Sequence, residues 1–165
     1  MIDIEVQGWK QIEAFLKTLP DQVASKMLYD SLMAGAKPIS DQAKANIRQL
    51  FGSSVRYTGT LEKAIARGRT RRTRYAARVD VKLRRAKNNG KTIKGNVTKP
   101  YGDDAFYGRF LEFGTSKMAA KPFLLPAATA RRGQSIDRFN KTLMQRMSKW
   151  CAQNGVTYRA SGSTS

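Results

Sequence analysis

Apolar positions along the chain change their period several times, and each change marks an element. Ile2, Ile4 and Val6 alternate with Asp3, Glu5 and Gln7, the period of a half-buried strand. After Gly8 the spacing becomes helical, with Trp9, Ile12, Phe15, Leu16 and Leu19 ending at Pro20. Asp21 is placed to cap a second helix. Its stripe of Val23, Met27, Leu28, Leu32, Ile39, Ala43, Ile47 and Leu50 runs to about residue 50. Pro38 interrupts that stripe, so either one helix kinks there or two helices meet. Ala34, Gly35 and Ala36 just before it suit close packing against another element. Residues 51–59 read as a loop, and Thr60 as the N-cap of a short helix with Leu61, Ala64 and Ile65 that ends at Gly68.

Strict alternation returns at Tyr75, Ala77, Val79, Val81 and Leu83, which predicts a strand with one apolar and one largely basic face. Asn88-Asn89-Gly90 is a turn signal, and Thr92–Thr98 is either the returning strand or a loop. Asp103 or Asp104 can cap a helix holding Phe106, Tyr107, Phe110, Leu111 and Phe113, closed by Gly114. Pro122 and Pro126 bracket Phe123-Leu124-Leu125, and Pro126 suits the first turn of a last helix. That helix carries Ile136, Phe139, Leu143, Met147 and Trp150 on one face. The fold class expected is α+β: a small, twisted antiparallel sheet packed with a long N-terminal helix, kinked or broken at proline, short helices and a C-terminal helix. One domain is expected over residues 1–154, with a basic hairpin at 67–99 and a disordered polar tail at 155–165.

Composition narrows the function classes. The 165 residues include no histidine and one cysteine, Cys151, which excludes an intrachain disulfide and removes the commonest general base and metal ligand. Cys151 beside Trp150 reads as a buried, inert thiol. The twelve acids are scattered, and the adjacent pair Asp103-Asp104 fits capping better than metal binding. Gly52-Ser53-Ser54 lacks the lysine of a phosphate loop. No cofactor, metal or catalytic residue is expected, and the chain reads as a non-enzyme. No run approaches a membrane span, and the opening MIDIEVQGWK lacks a basic start followed by an apolar stretch, so a product made in the cytoplasm is expected.

The net charge of +19 is distributed unevenly. Arg67, Arg69, Arg71, Arg72, Arg74, Arg78, Lys82, Arg84, Arg85, Lys87, Lys91, Lys94 and Lys99 face a single acid, Asp80, across that interval. Such a segment suits either nucleic-acid backbone or an acidic protein surface. With Tyr75 as the sole aromatic among them, stacking on single-stranded bases is not expected. No base-reading motif is visible.

Two runs then point to a family. Tyr107-Gly-Arg-Phe-Leu-Glu-Phe-Gly-Thr115, followed by Met118-Ala-Ala-Lys-Pro-Phe-Leu-Leu-Pro-Ala127, resembles the gene-product-ten-like family of lambda-like tailed phages and prophages. The family pattern is Tyr-Ala-x-x-Val-Glu-Phe-Gly-Thr, then Met-x-Ala-x-Pro-Phe-Leu-x-Pro-Ala. Gly108 stands here for the usual Ala, and Leu111 for Val. Val6-Gln7-Gly8 before an amphipathic helix, and Thr58-Gly59-Thr60-Leu61, agree with it in order. The family's strand region is usually shorter and less basic than residues 67–99.

The resemblance implies a structural virion protein at the head–tail junction or tail end: a ring-forming neck or head–tail connector, or a tail-completion subunit. Implied partners are copies of itself, in a hexamer, neighbouring neck, head-closure, tail-terminator or tail-tube proteins, and packaged DNA. Glu112, Phe113, Gly114, Thr115, Met118, Pro122, Phe123 and Pro126 carry the motif. Glu112 is expected to pair with an arginine, Gly114 to take a left-handed helix end, Thr115 to fix the turn and Phe123 to anchor the corner. The alternative reading is a free basic protein that binds nucleic-acid backbone without sequence specificity.

Overall fold

The computed structural model describes residues 3–6, 9–54, 57–73, 76–84, 105 and 107–160. In chain order the elements are β1 (Asp3–Val6), α1 (Trp9–Thr18), α2 (Asp21–Phe51), α3 (Thr60–Ala64), β2 (Ile65–Thr73), β3 (Ala76–Leu83), α4 (Gly108–Phe113), α5 (Leu124–Gln153) and β4 (Thr157–Ala160). The class is α+β and mostly helical, with β2 and β3 forming a two-stranded antiparallel sheet. α2 continues through Pro38 as one helix, which resolves the alternative of two helices meeting there.

The residues group into two compact units. The first comprises residues 1–36, 69–79 and 133–165. Its core is Ile12, Phe15 and Leu19 of α1, Met27 of α2, and Leu143, Met147 and Cys151 of α5. Spacing by three and four puts each set on one helix face. Phe15 and Trp150 meet edge to face with centroids 5.9 Å apart. At Gly35 α2 and α5 approach closely: a methyl group there would lie 2.9 Å from the Ser135 carbonyl oxygen, and the Ser135 hydroxyl donates to the Gly35 carbonyl at 2.7 Å. Ile136, expected on the apolar face of α5, is instead exposed.

β4 occupies part of the stretch expected to be a disordered tail. Gly155, at φ 67°, ends α5, and the Val156 amide reaches back to the Cys151 carbonyl at 2.9 Å. This is a Schellman closure, with Val156 packed on the core behind it. The turn delivers Thr157–Ala160 in parallel register to Asp3–Val6, Asp3 opposite Thr157 and Val6 opposite Ala160. The thiol of Cys151 is fully buried, and burial pushes its pKa up. Iodoacetamide at pH 8 should therefore alkylate the native chain at least about tenfold more slowly than the urea-unfolded chain. Equal rates, read by mass spectrometry, would contradict the packing of α5.

The second unit comprises residues 37–68 and 80–132. Ala43 and Ile47 of α2, Leu61 and Ala64 of α3, Ile65 of β2, Ala105, Phe123 and Ala127 make its core. Val81 and Leu83 of β3 pack against them, while Lys82 and Arg84 are exposed, as the alternation predicts. β2 is a strand that the apolar pattern does not predict. β3 pairs with β2, which precedes it, and the Arg84 amide continues the pairing to the Ala64 carbonyl at 2.7 Å. Helix α3 stops at Ala64 and Gly68 lies inside β2, so the helix expected to run to Gly68 is shorter by a turn. The N-cap of α3 is Gly59, at φ 71°, rather than Thr60. The Asn88-Asn89-Gly90 turn, the segment Thr92–Thr98 and the caps Asp103 and Asp104 lie outside the described residues.

Candidate functional site: the corner between α4 and α5

The corner is built around one carboxylate and one phenylalanine. An α-helix begins with amide groups that have no partner within it. At the start of α5 Glu112 supplies the partners: its Oε2 accepts from the amides of Phe123 (2.8 Å) and Leu124 (3.0 Å), and its Oε1 from that of Leu125 (2.9 Å). The next residue, Pro126, has no amide hydrogen to satisfy. The negative charge also sits at the positive end of a 30-residue helix. Glu112 is thus a helix clasp, where the sequence reading expected an arginine pair, and it is itself buried.

The same corner is held from α2. Asn46 Nδ2 donates to the Phe123 carbonyl at 3.0 Å, Gln42 Nε2 donates to Asn46 Oδ1 at 2.9 Å, and Arg131 Nε donates to Gln42 Oε1 at 2.8 Å. Phe123 therefore has both backbone groups tied to side chains and its ring fully buried. The loop leading into it is closed at both ends. Thr115 and Met118 exchange backbone hydrogen bonds of 2.9 and 3.2 Å, the Lys117 amide donates to Thr115 Oγ1 at 3.3 Å, and the Lys121 amide reaches the Leu111 carbonyl at 2.8 Å.

Gly114 joins α4 to this loop with φ 74° and ψ −179°. The φ is positive, as a left-handed helix end requires. The ψ does not match a left-handed helix end, because the chain leaves α4 extended rather than curled. A methyl group on Gly114 would lie 2.9 Å from the Ala120 amide nitrogen and 3.0 Å from the Met118 carbonyl oxygen.

The motif thus divides. Glu112 and Phe123 are buried, Gly114 is half-buried, and Thr115 and Met118 shape the loop. Phe113, next to the clasp, is 77% exposed, and Leu125, whose amide the clasp holds, is 69% exposed. Pro122 and Pro126 are also exposed. The sequence places Leu125 only as one of three apolar residues bracketed by Pro122 and Pro126, a pattern that does not mark it as exposed.

Of the basic residues, Arg67 is half-buried at the base of β2, and Arg78, Lys82 and Arg84 are exposed on β3 or just after it. β2 carries the backbone of Arg69, Arg71 and Arg72. Arg74, Arg85, Lys87, Lys91 and Lys94 lie outside the described residues.

A second polar cluster braces α2 against α3. Arg48 pairs with Glu62 through both guanidinium and carboxylate edges, its Nε donating to Oε2 at 2.9 Å, and the Tyr57 hydroxyl donates to the same oxygen at 2.8 Å. The Arg48 guanidinium, with help from Tyr57, holds the Glu62 carboxyl below its ordinary value against the opposing effect of burial. A depressed native pKa contributes stability at pH values above the unfolded carboxyl's, about 4.3, and loses it as pH falls through the native value. Acid unfolding of the parent chain should therefore steepen below about pH 4, and Glu62→Gln should flatten that slope. Parallel stability–pH curves for the two proteins would refute the assignment.

Among the described residues no group of histidine, cysteine, aspartate and glutamate could hold a metal ion. No described helix is long and apolar enough to cross a membrane. What the corner offers is a backbone held by side-chain hydrogen bonds, with apolar side chains displayed on it. A family model described as "Bacteriophage HK97-gp10, putative tail-component" matches residues 10–114, and the chain belongs to that family. Membership places it among phage tail components, in the virion. The match takes in Leu111-Glu112-Phe113-Gly114 and ends before the Met118–Ala127 run. Comparison with curated proteins and with solved structures gives no match.

Proposed function

We propose that this tail component is a non-catalytic, ring-forming subunit, a head–tail connector or tail-completion protein that acts in joining heads to tails. The observation that carries the reading is the α4–α5 corner. Its backbone is fixed by three bonds to Glu112 and one to Asn46, and it presents Phe113 and Leu125 to solvent. A fixed backbone under exposed apolar side chains lowers the ordering cost of docking, which is what a subunit that assembles once and does not turn over requires. Six copies in a ring, set at the head–tail junction, is the arrangement the family resemblance favours. The cations of β2 and β3 then meet an acidic neighbouring ring, with DNA in the channel a lesser partner, because a channel lined with so much positive charge would retard ejection.

The test is electron microscopy of a lysate in which this reading frame carries a stop codon. Filled heads beside separate tails of normal length are expected. Normal infectious particles would overturn the connector reading. If, in addition, the purified chain bound duplex DNA with steep salt dependence, the free nucleic-acid-binding protein would replace it.

A further inference from the structure

Within the second unit, α4, β3 and the start of α5 enclose an open groove of about 510 Å³. Its walls are apolar: Val81 and Leu83 of β3, Phe113 of α4, and Leu124, Leu125 and Ala128 of α5. Two cations, Lys82 and Arg109, lie on its rim, and both are exposed. Among the described residues of the lining the one carboxylate is Glu112, and both of its oxygens are engaged by the amides of α5. The groove therefore combines exposed apolar surface with positive charge that no acid among the described lining residues balances.

Exposed apolar surface in a concave site is a docking feature, and its charge selects the partner. A second copy is a poor occupant in either geometry: a two-fold contact would set Lys82 and Arg109 against their own equivalents, and the head-to-tail contact of a ring would fill the groove from a chain of net charge +19, so ring contacts are assigned to other surfaces. We propose that the groove receives an apolar segment flanked by carboxylates from a different virion protein, with its apolar side chains between Phe113 and Leu125 and its acids on Lys82 and Arg109. This rests on the tail-component reading for the source of the partner, and it adds the partner's chemistry and the place where it binds.

The full-length purified chain is titrated into a short fluorescein-labelled peptide bearing two leucines one helical turn apart and flanked by glutamates, and polarisation is read. The same peptide with lysine flanks is the comparison. The glutamate peptide is expected to bind, and the lysine peptide to bind at least about tenfold more weakly. Phe113→Ser with Leu125→Ser should abolish binding, and Lys82→Glu with Arg109→Glu should weaken it by about tenfold or more. Arg132→Glu with Lys141→Glu, an equal charge change on exposed positions of α5, should have a much smaller effect. All these positions are exposed, so circular dichroism melting should confirm that each variant folds. Equal binding of both peptides, or equal loss from the two charge-reversal pairs, would overturn the proposal. So would self-association of the parent chain that Phe113→Ser abolishes. This titration needs no particles, so it can fail while the stop-codon experiment succeeds, and the reverse.

Discussion

Gly114→Ala should destabilise the chain by about 3 kcal/mol, enough to lower the melting temperature by ~6–12 °C. Two effects add. At φ 74° and ψ −179° the backbone occupies a region open essentially to glycine alone. The new methyl group would also press on the backbone of Ala120 and Met118, in a loop whose ends are tied by the Thr115–Met118 pair and by Lys121 to Leu111. Neither neighbour is the end of a flexible side chain, so relief requires the loop to move. Gly114→Asn separates this account from an ordinary helix cap. Asparagine tolerates the left-handed helical region and would rescue a cap there, but its ψ is wrong for the conformation seen. Urea unfolding should find both variants similarly unstable. Recovery with asparagine would refute the backbone argument.

Glu112→Ala should be of comparable size, about 3 kcal/mol, because three amides at the start of α5 lose a charged acceptor at once. Glu112→Gln keeps the shape and one acceptor oxygen but turns an NH2 group toward a donor, so it should fall between the parent and the alanine variant. If the glutamine variant melts with the parent, neither the charge nor the second acceptor matters, and the clasp is not what holds the corner. An arginine partner would predict a different result: a milder loss, reduced further by salt.

Much of this architecture is legible in the sequence because burial leaves a periodic trace. β1, α1, α2, β3 and α5 each carry their apolar residues at the spacing of their own geometry, and the small residues before Pro38 do mark a close helix approach at Gly35. β2 left no such trace. Ile-Ala-Arg-Gly-Arg-Thr-Arg-Arg-Thr has almost no apolar alternation, so its pairing with β3 is set by the partner strand rather than by its own pattern. β4 is four residues long, and what places it is the turn at Gly155 together with Val156 packing on the core. Glu112 was visible as a motif residue and its role was not. Its bonds go to backbone amides eleven to thirteen residues away, and backbone groups carry no sequence signature. The exposure of Phe113 was hidden for the opposite reason, since an aromatic in a helical pattern reads as core.

The clasp at Glu112 grips only what every residue other than proline possesses. It holds the amide of Leu125 without touching what that residue is, and Leu125 points its side chain at solvent. The frame and the message at this corner are therefore written in separate alphabets. Position 125 can change its side chain, and with it the shape offered to a neighbour, while the bond that positions it stays the same. Position 113 has the same freedom: its side chain is exposed, although it lies between two residues whose replacement is expected to be costly. A lineage bearing this corner can drift toward new assembly partners by substitutions at 113 and 125 without first surviving a loss of stability.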